Sequence, residues 1–500
     1  MPSSSSTQPS HLQRLVQKIQ RDPGLPVDNA TTSFWLEPVG QHAHHQSPSL
    51  AKTADVVILG SGITGISTAL HLSRIAPELK IVILEARDLT SGATGRNGGH
   101  IKAVPWKDYG DIKRTLGRES AIKISRFRLS HLPALLSEAA TLGESGKAGL
   151  VRQVETLIAC YDRDVWTQDK KKLKEFLDDM PEEQGKWIVH EDPSDLKNLG
   201  LAANCVGCIS GRAGAAWPYR FLGAVTATLL RKETISLETH TPALSIGQQQ
   251  LGSRCPYSVQ TARGSIQTKH VVHCTNGFVA HLIPGLRGKV CPLRGQMTVQ
   301  SVPDDFPRYG AKYSWSAIWD RGFDYICQSP AADGSLYFGG GAFQSGLEND
   351  QEIGNVDDSQ LSPQCLNHLA AAAGKAFIGG ERARISKKWT GIMGFTMDGL
   401  PIVGRASRQV STRDQGRADQ GGEWVAAGFN GYGMVHSWLS GKALAHMILG
   451  RDSEVRDWFP VEEFACSEGR LAKMSAMDFL GHFGGGVPQE GSNTPLSSKL

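Results

Sequence analysis

The chain has 500 residues, 40% of them apolar and 20% charged, which are globular values with room for large cores and, by length, two to four domains. Its net charge of +4 is spread without long basic runs, so nucleic-acid binding has no support. No apolar run approaches the ~18 residues of a membrane helix, which argues against a membrane partner, and nine cysteines scattered through the chain read as reduced thiols rather than a disulfide framework.

Residues 1–50 read as a tail and lead-in. Met1 to Arg21 is Ser-rich and carries Arg14, Lys18 and Arg21 with no acid before Asp22, as a mitochondrial transit peptide would. A disordered tail with one short helix fits as well. His42, His44 and His45 lie in a polar Ser/Pro-rich linker and are expected in solvent, not on a metal.

The stretch Asp55–Glu85 is organised as strand, glycine turn, helix and strand. Val56–Leu59 is short enough for a strand buried on both faces. Gly60-Ser61-Gly62-Ile63-Thr64-Gly65 follows, then a helical stripe of Ile66, Ala69, Leu70 and Ser73 that Pro77 stops. A second strand, Ile81–Leu84, ends on Glu85 and Ala86. The first glycine permits the tight turn, the second lets a pyrophosphate approach the backbone, and the third lets helix and strand pack closely. The helix N-terminus favours phosphates, and Glu85 can accept hydrogen bonds from a ribose diol. This is a dinucleotide site.

Gly92-Ala93-Thr94-Gly95-Arg96-Asn97-Gly98-Gly99-His100 is too glycine-rich for an element interior and lets backbone pass against something large and flat. A helix is expected over Glu119–Leu142, kinked at Pro133. Val154–Ala159 reads as a strand, Lys170–Asp179 as a charged surface helix, and Phe221–Arg231 as another helix. Cys205 and Cys208 form a CxxC with no second pair, which fits plain thiols better than zinc. Thr234–Ile246 and Lys269–Gly277 read as strands, Val290–Gly341 as a run of short antiparallel strands, and Arg405–Gly422 as an exposed polar insertion. Glu423–Gly428 is a strand, Phe429–Gly433 a turn and Met434–Leu449 a helix.

Six of these segments occur together, in order, in one known family. They are Asp55–Gly65 with Glu85, Gly92–His100, Cys274-Thr275-Asn276-Gly277, Pro292-Leu293-Arg294-Gly295-Gln296, Asp398–Gly404 and Ala427–Met434. Through them residues 33–450 resemble the FAD-dependent oxidoreductases of the D-amino-acid oxidase superfamily. The Arg96–Gly99 sequence and Trp389-Thr390-Gly391 bring the chain nearest to the branch that oxidises γ-glutamylputrescine. The resemblance implies an α/β (α+β) fold, with a Rossmann-type FAD domain interleaved with an antiparallel-sheet substrate domain. The FAD domain would take residues 51–150, 211–288 and 391–460, and the substrate domain 151–210 and 289–390. Residues 461–500 would form a C-terminal tail.

The resemblance also implies roles. Gly95, Arg96, Asn97, Gly98, Gly99 and His100 would run along the isoalloxazine, with Thr94 a further cofactor contact. Gly428, Asn430, Gly431, Gly433 and Met434 would turn N–H groups toward flavin O2 and N1, where negative charge gathers on reduction. The reaction would be oxidation of an amine to an imine, hydrolysed to a carbonyl, with O2 or another acceptor taking the electrons. Catalytic candidates are His100, as a base or a polar neighbour of the ring, with Trp389, Tyr432 and Arg294. Arg294 could equally be a structural ion pair. Trp217 and Tyr219 are further candidates for the site, while Trp315 and Trp319 divide evenly between site lining and core.

Two departures from the family bear on substrate and cofactor. Members acting on α-amino acids carry an Arg-Pro pair where this chain has Met393 and Gly394, so a bidentate carboxylate clamp is missing there, which argues for a primary or secondary amine other than a simple α-amino acid. The sarcosine-oxidase branch attaches FAD to a cysteine where this chain has Gly391, so FAD is expected to be noncovalent. That branch's oxygen-activating lysine has no counterpart around Tyr325–Gln328.

The last three residues, Ser498-Lys499-Leu500, match the address read by the peroxisomal import receptor, with cytoplasm or mitochondrion as the alternative locations. A tailoring oxidase of a specialised pathway and a flavin-binding protein without catalysis are the rival functions.

Overall fold

The computed structural model describes residues 10–248, 255–342, 351–413 and 421–482. Alternating stretches of chain build two sheets. β1 (Thr53–Leu59) and β2 (Ile81–Leu84) open the first, joined by the helix Ile63–Ile75. The chain then crosses to the second sheet for β3 (His100–Ile101), β4 (Arg152–Cys160), β5 (Ile188–His190) and β6 (Gly207–Ala215). It returns for β7 (Ile235–Glu238), β8 (Ser245–Gln248), β9 (Tyr257–Thr261) and β10 (Gly264–His273). The second sheet then gains β11 (Val290–Ser301), β12 (Tyr313–Ile318), β13 (Phe323–Gln328), β14 (Leu336–Gly340) and β15 (Arg384–Thr396). β16 (Ile402–Arg405) and β17 (Gly422–Ala427) complete the first.

The first sheet runs β16-β17-β10-β1-β2-β7 and is parallel from β17 to β7. Val57, Ile58, Ile81 and Ile83 are almost wholly buried, as expected of strands covered on both faces. The helices Ile63–Ile75 and Ser437–Ile448 cross so closely that a Cβ on Gly441 would lie 2.7 Å from that of Ser67. The second sheet runs β15-β11-β14-β13-β12-β4-β6-β3. Its pairs are antiparallel except β4 with β12, which are parallel, so it is a mixed sheet rather than a wholly antiparallel one.

Local expectations differ from this structure in several places. β6 carries the second sheet on to Ala215 and β15 carries it to Thr396, past the junctions at 210/211 and 390/391. The helix expected over Glu119–Leu142 is two, Arg118–Leu129 and His131–Thr141, broken at Ser130. Pro133 then falls in the first turn of the second helix, where its missing N–H costs nothing. Thr234–Ile246 holds two separate strands, β7 and β8. Val410 and Ser411 of the supposedly exposed insertion are buried, and Arg413 there pairs with Glu423 at 2.8 Å.

Neither described end of the chain is a loose tail. The helix His11–Gln20 buries Leu15 and Ile19 in one apolar cluster with Leu471, Phe479 and Leu480 of the short helices near the other end. His44 is exposed, as expected, and pairs with Asp88, which His240 also reaches. Ser498-Lys499-Leu500 lies outside the described residues.

Candidate functional site

A cavity of about 220 Å³ opens outside the carboxyl ends of β1, β2 and β10, where an open parallel sheet binds its ligand. Gly60, at φ +100°, leaves no room for a side chain, since a Cβ would sit 2.8 Å from the Cys274 carbonyl oxygen. At Gly65 a Cβ would lie 2.0 Å from the Gly60 carbonyl oxygen, so only glycine lets the helix approach β1. Glu85 turns one carboxylate oxygen to the Ser61 N–H (2.9 Å) and hydroxyl (2.7 Å), and the other to the Arg87 N–H (3.0 Å). The first oxygen is filled by these two bonds, and the second keeps a lone pair for a ligand hydroxyl.

Of the residues singled out from sequence, Gly60, Gly62, Ile63, Thr64, Glu85, Ala86, Thr94, Asn97, Gly431, Gly433 and Met434 line this cavity. Ser61, Gly65, Gly95, Gly99 and Gly428 do not; they shape the wall from behind. Arg87, Thr275, Asn276 and Met393 line it as well. Arg87 and Met393 were given no binding role from sequence.

The Gly92–His100 loop is held by a set of braces. The Ser33 hydroxyl donates to the Gly95 carbonyl (2.7 Å), the Trp35 indole to that of Asn97, and the Trp389 indole to that of Arg96 (2.9 Å). Trp389 is fully buried in this role and lines neither this cavity nor the one beside it, which corrects its candidacy as a catalytic residue. Trp217 likewise donates to the Trp35 carbonyl, and Tyr219 accepts from the Gly40 N–H. Arg96 is a brace more than a cofactor contact. Its guanidinium donates to the carbonyls of Ser91, Thr31 and Thr390 and lies 3.5 Å from Asp358. Burial lowers its pKa to about 10, and Asp358 opposes that fall.

The final turn is built on Asn430 in the left-handed region (φ +53°), between Gly428 (φ +72°) and Gly431 (φ +77°). The Asn430 amide oxygen accepts from the Thr396 N–H at 2.8 Å, and its NH₂ donates to the Gly428 carbonyl at 2.7 Å. Asn276 accepts from the Gly428 N–H at 3.0 Å and ties the turn to the end of β10.

A second cavity of about 200 Å³ adjoins the first, sharing Ala93, Asn97, Met393, Gly431 and Met434 as a common wall. Arg96, Gly98, Asn430, His100 and Tyr432 line it. Its aromatic surface comes from Phe323, Tyr325, Phe395 and Tyr432. Burial pushes the Tyr325 and Tyr432 hydroxyls upward in pKa, so both stay protonated. Trp315 and Trp319 belong to a separate core cluster, the latter bonded to Asp324, and do not reach the chamber. Arg294 does not either. Both it and Glu352 are buried, and they form an ion pair at 2.7 Å, so the structural alternative holds.

The ring of His100 lines the chamber, but both its nitrogens are shielded. Burial first, then the positive Lys102 and Arg152, hold its pKa well below the usual imidazole range, while the Ile326 backbone opposes this. It is therefore neutral. Lys102, which the sequence reading passed over, also lines the chamber. Its ammonium donates to the Ser316 hydroxyl (2.6 Å) and the Trp315 carbonyl (3.3 Å) of β12. Burial lowers its pKa to about 8. No lysine sits on Tyr325–Gln328, but this one enters beside the neighbouring strand from the opposite end of the sheet. The signal was its spacing from His100, since residues two apart on a strand share a face.

Comparisons with known proteins agree with this arrangement. A family profile described as FAD dependent oxidoreductase matches residues 55–447. The chain is 21% identical to the gamma-glutamylputrescine oxidoreductase of Escherichia coli over 437 residues, 86% of this chain and 91% of that one. In fold it is similar to glycine oxidase from Geobacillus kaustophilus, at a TM-score of 0.64 and 18% identity, covering 84% of this chain and 99% of that. It is also similar to L-proline dehydrogenase from P. horikoshii, at 0.63 and 18%, covering 83% and 98%.

Proposed function

We infer the reaction from one premise: the chain belongs to the FAD dependent oxidoreductase family. It is an FAD-dependent oxidoreductase, and we assign it the oxidation of a C–N bond in a small amine or amino acid. In the first cavity Gly62–Thr64 would hold the pyrophosphate and Glu85 a ribose, noncovalently. The glycine cradle and the lone pair left on Glu85 fit that group. Gly391 offers no thiol for attachment by the route known in related enzymes. FAD held there would supply the hydride acceptor for the carbon bearing nitrogen and the route of the electrons to an acceptor.

The chain's own residues do the rest. The aromatic wall of Phe323, Tyr325, Phe395 and Tyr432 excludes water and disfavours the ammonium form of a bound amine, whose nitrogen must be unprotonated before oxidation. His100 is neutral and adds its ring to the wall without adding charge. Asn430 and Asn276 fix the turn that closes the common wall. The acceptor we assign is dioxygen, giving hydrogen peroxide, and the location is the peroxisome, by the Ser498-Lys499-Leu500 address.

The observation that carries the reading is a dinucleotide cavity sharing one wall with an aromatic chamber. Purified protein should carry flavin absorbance that a panel of amines and amino acids bleaches under anaerobic conditions. Air should then restore it with release of peroxide. Bound flavin that no member of the panel reduces would overturn the assignment.

A further inference from the structure

Beside the β7 edge of the first sheet, two imidazoles and a carboxylate converge on one point. His44 stands on a turn of the lead-in, Asp88 just past β2 and His240 just past β7. His44 Nδ1 lies 2.8 Å and His240 Nε2 2.7 Å from Asp88 Oδ1, and the two nitrogens are 3.5 Å apart. Plain hydrogen bonding is better served by one N–H on each carboxylate oxygen. Here both rings crowd Oδ1 and neither takes Oδ2, so two ring N–H groups would face each other. The sequence left His44 in solvent and off a metal because its partner His240 is 196 positions away. Backbone bonds already hold the three segments in register. The Leu89 N–H donates to the Ala43 carbonyl (2.9 Å), that of Thr239 to His45 (3.0 Å) and that of His240 to Arg87 (3.2 Å). His240 itself is in the left-handed region, at φ +49°, a conformation unfavourable for histidine that turns its ring toward Asp88.

We propose that His44, Asp88 and His240 bind a divalent transition-metal ion of the zinc class. One ion can stand about 2.0 Å from all three atoms at once, the usual bond length of zinc to imidazole and carboxylate. Two imidazoles with one carboxylate suit zinc and its neighbours, whereas magnesium and calcium take oxygen donors. Both histidines are exposed, so water completes the coordination. None of the three side chains lines either cavity, so the ion takes no part in the oxidation. It is a staple. It ties the lead-in to the ends of β2 and β7, next to Glu85, Arg87 and Pro242 of the first cavity's wall.

The test uses the full chain as purified, without a polyhistidine tag, dialysed against Zn²⁺ with a non-thiol reductant and read by metal analysis. One equivalent should bind with a Kd below about 10 μM, and excess Mg²⁺ or Ca²⁺ should not displace it. Zn²⁺ should also raise the midpoint of thermal unfolding. His240→Asn isolates the ligand, because asparagine tolerates φ +49° and can still hydrogen-bond to Asp88. It and His44→Gln should each weaken Zn²⁺ by about tenfold or more and abolish the rise in midpoint. Unmodified protein that holds no zinc at about 100 μM free metal would overturn the site, with no variant needed. So would a folded His240→Asn or His44→Gln protein that keeps the parent's affinity. Metal content is read whether or not flavin is bound, so the result stands apart from the FAD reading.

Discussion

Asn430 is the residue whose replacement tests the site most sharply. Its amide bonds two buried backbone groups, the Thr396 N–H and the Gly428 carbonyl, at 2.8 and 2.7 Å. Each is worth about 1 kcal/mol, so truncation should cost about 2 kcal/mol from these bonds. Its φ of +53° adds about 1 kcal/mol for alanine, which tolerates the left-handed region less well than asparagine. Asn430→Ala should therefore lose about 3 kcal/mol. Asn430→Gly should lose about 1 kcal/mol less, because it drops the bonds but relieves the backbone. Both should also release FAD more readily, since Gly431, Gly433 and Met434 of this turn line the first cavity. Urea unfolding followed by circular dichroism gives the stabilities, and free-flavin fluorescence gives the release. An alanine variant within about 0.5 kcal/mol of the parent, or one better tolerated than glycine, would refute the account of the turn.

Other outcomes follow from neighbouring features. Gly65→Ala would place a Cβ 2.0 Å from the Gly60 carbonyl oxygen and push the helix from β1, so FAD content on purification should fall while the apoprotein loses about 1–3 kcal/mol. Glu352→Ala strands the buried Arg294 and should cost about 3–5 kcal/mol in urea unfolding, most of it recovered in the double variant Arg294→Met, Glu352→Leu. Lys102 is cationic below its pKa of about 8, so a small carboxylate such as benzoate, followed by perturbation of the bound flavin spectrum, should bind best below that pH and more weakly as pH rises through it. Neither neighbour titrates in that window, because His100 is held neutral and burial lifts the Cys327 thiol to about 12, so the Lys102→Met profile should be flat there. In cells, a fluorescent protein fused ahead of Met1 should mark peroxisomes and disperse when Ser498–Leu500 is removed; a diffuse signal from the intact fusion would refute the address.

Features written locally in the sequence were legible. The glycine turn after β1, the acid at the end of β2 and the apolar runs of the parallel strands each depend on residues a few positions apart. What failed depended on distant partners. Trp389 shares a strand face with Gly391, Met393 and Phe395, which line the chamber, yet Arg96 from a loop almost three hundred residues earlier covers it. Arg294 finds Glu352 fifty-eight positions on, an ion pair that no motif announces. Lys102 went unnoticed because it directly follows β3, a strand of two residues and too short for an alternating pattern to show. The helix His11–Gln20 passed for a tail because its apolar stripe is complemented only by residues at the far end of the chain.

The weaving of the chain between its two sheets bears on how the protein is made. β10 lies between β1 and β17, so the middle of the parallel sheet waits for Gly422–Ala427 to leave the ribosome. Until then β10 presents a bare edge at His270–His273, a state in which nascent chains associate wrongly. Such long-range pairing folds slowly, and the cradle for the cofactor closes only when synthesis is nearly over. Flavin supply and chaperone capacity during translation should therefore set the yield of active protein more than its final stability does.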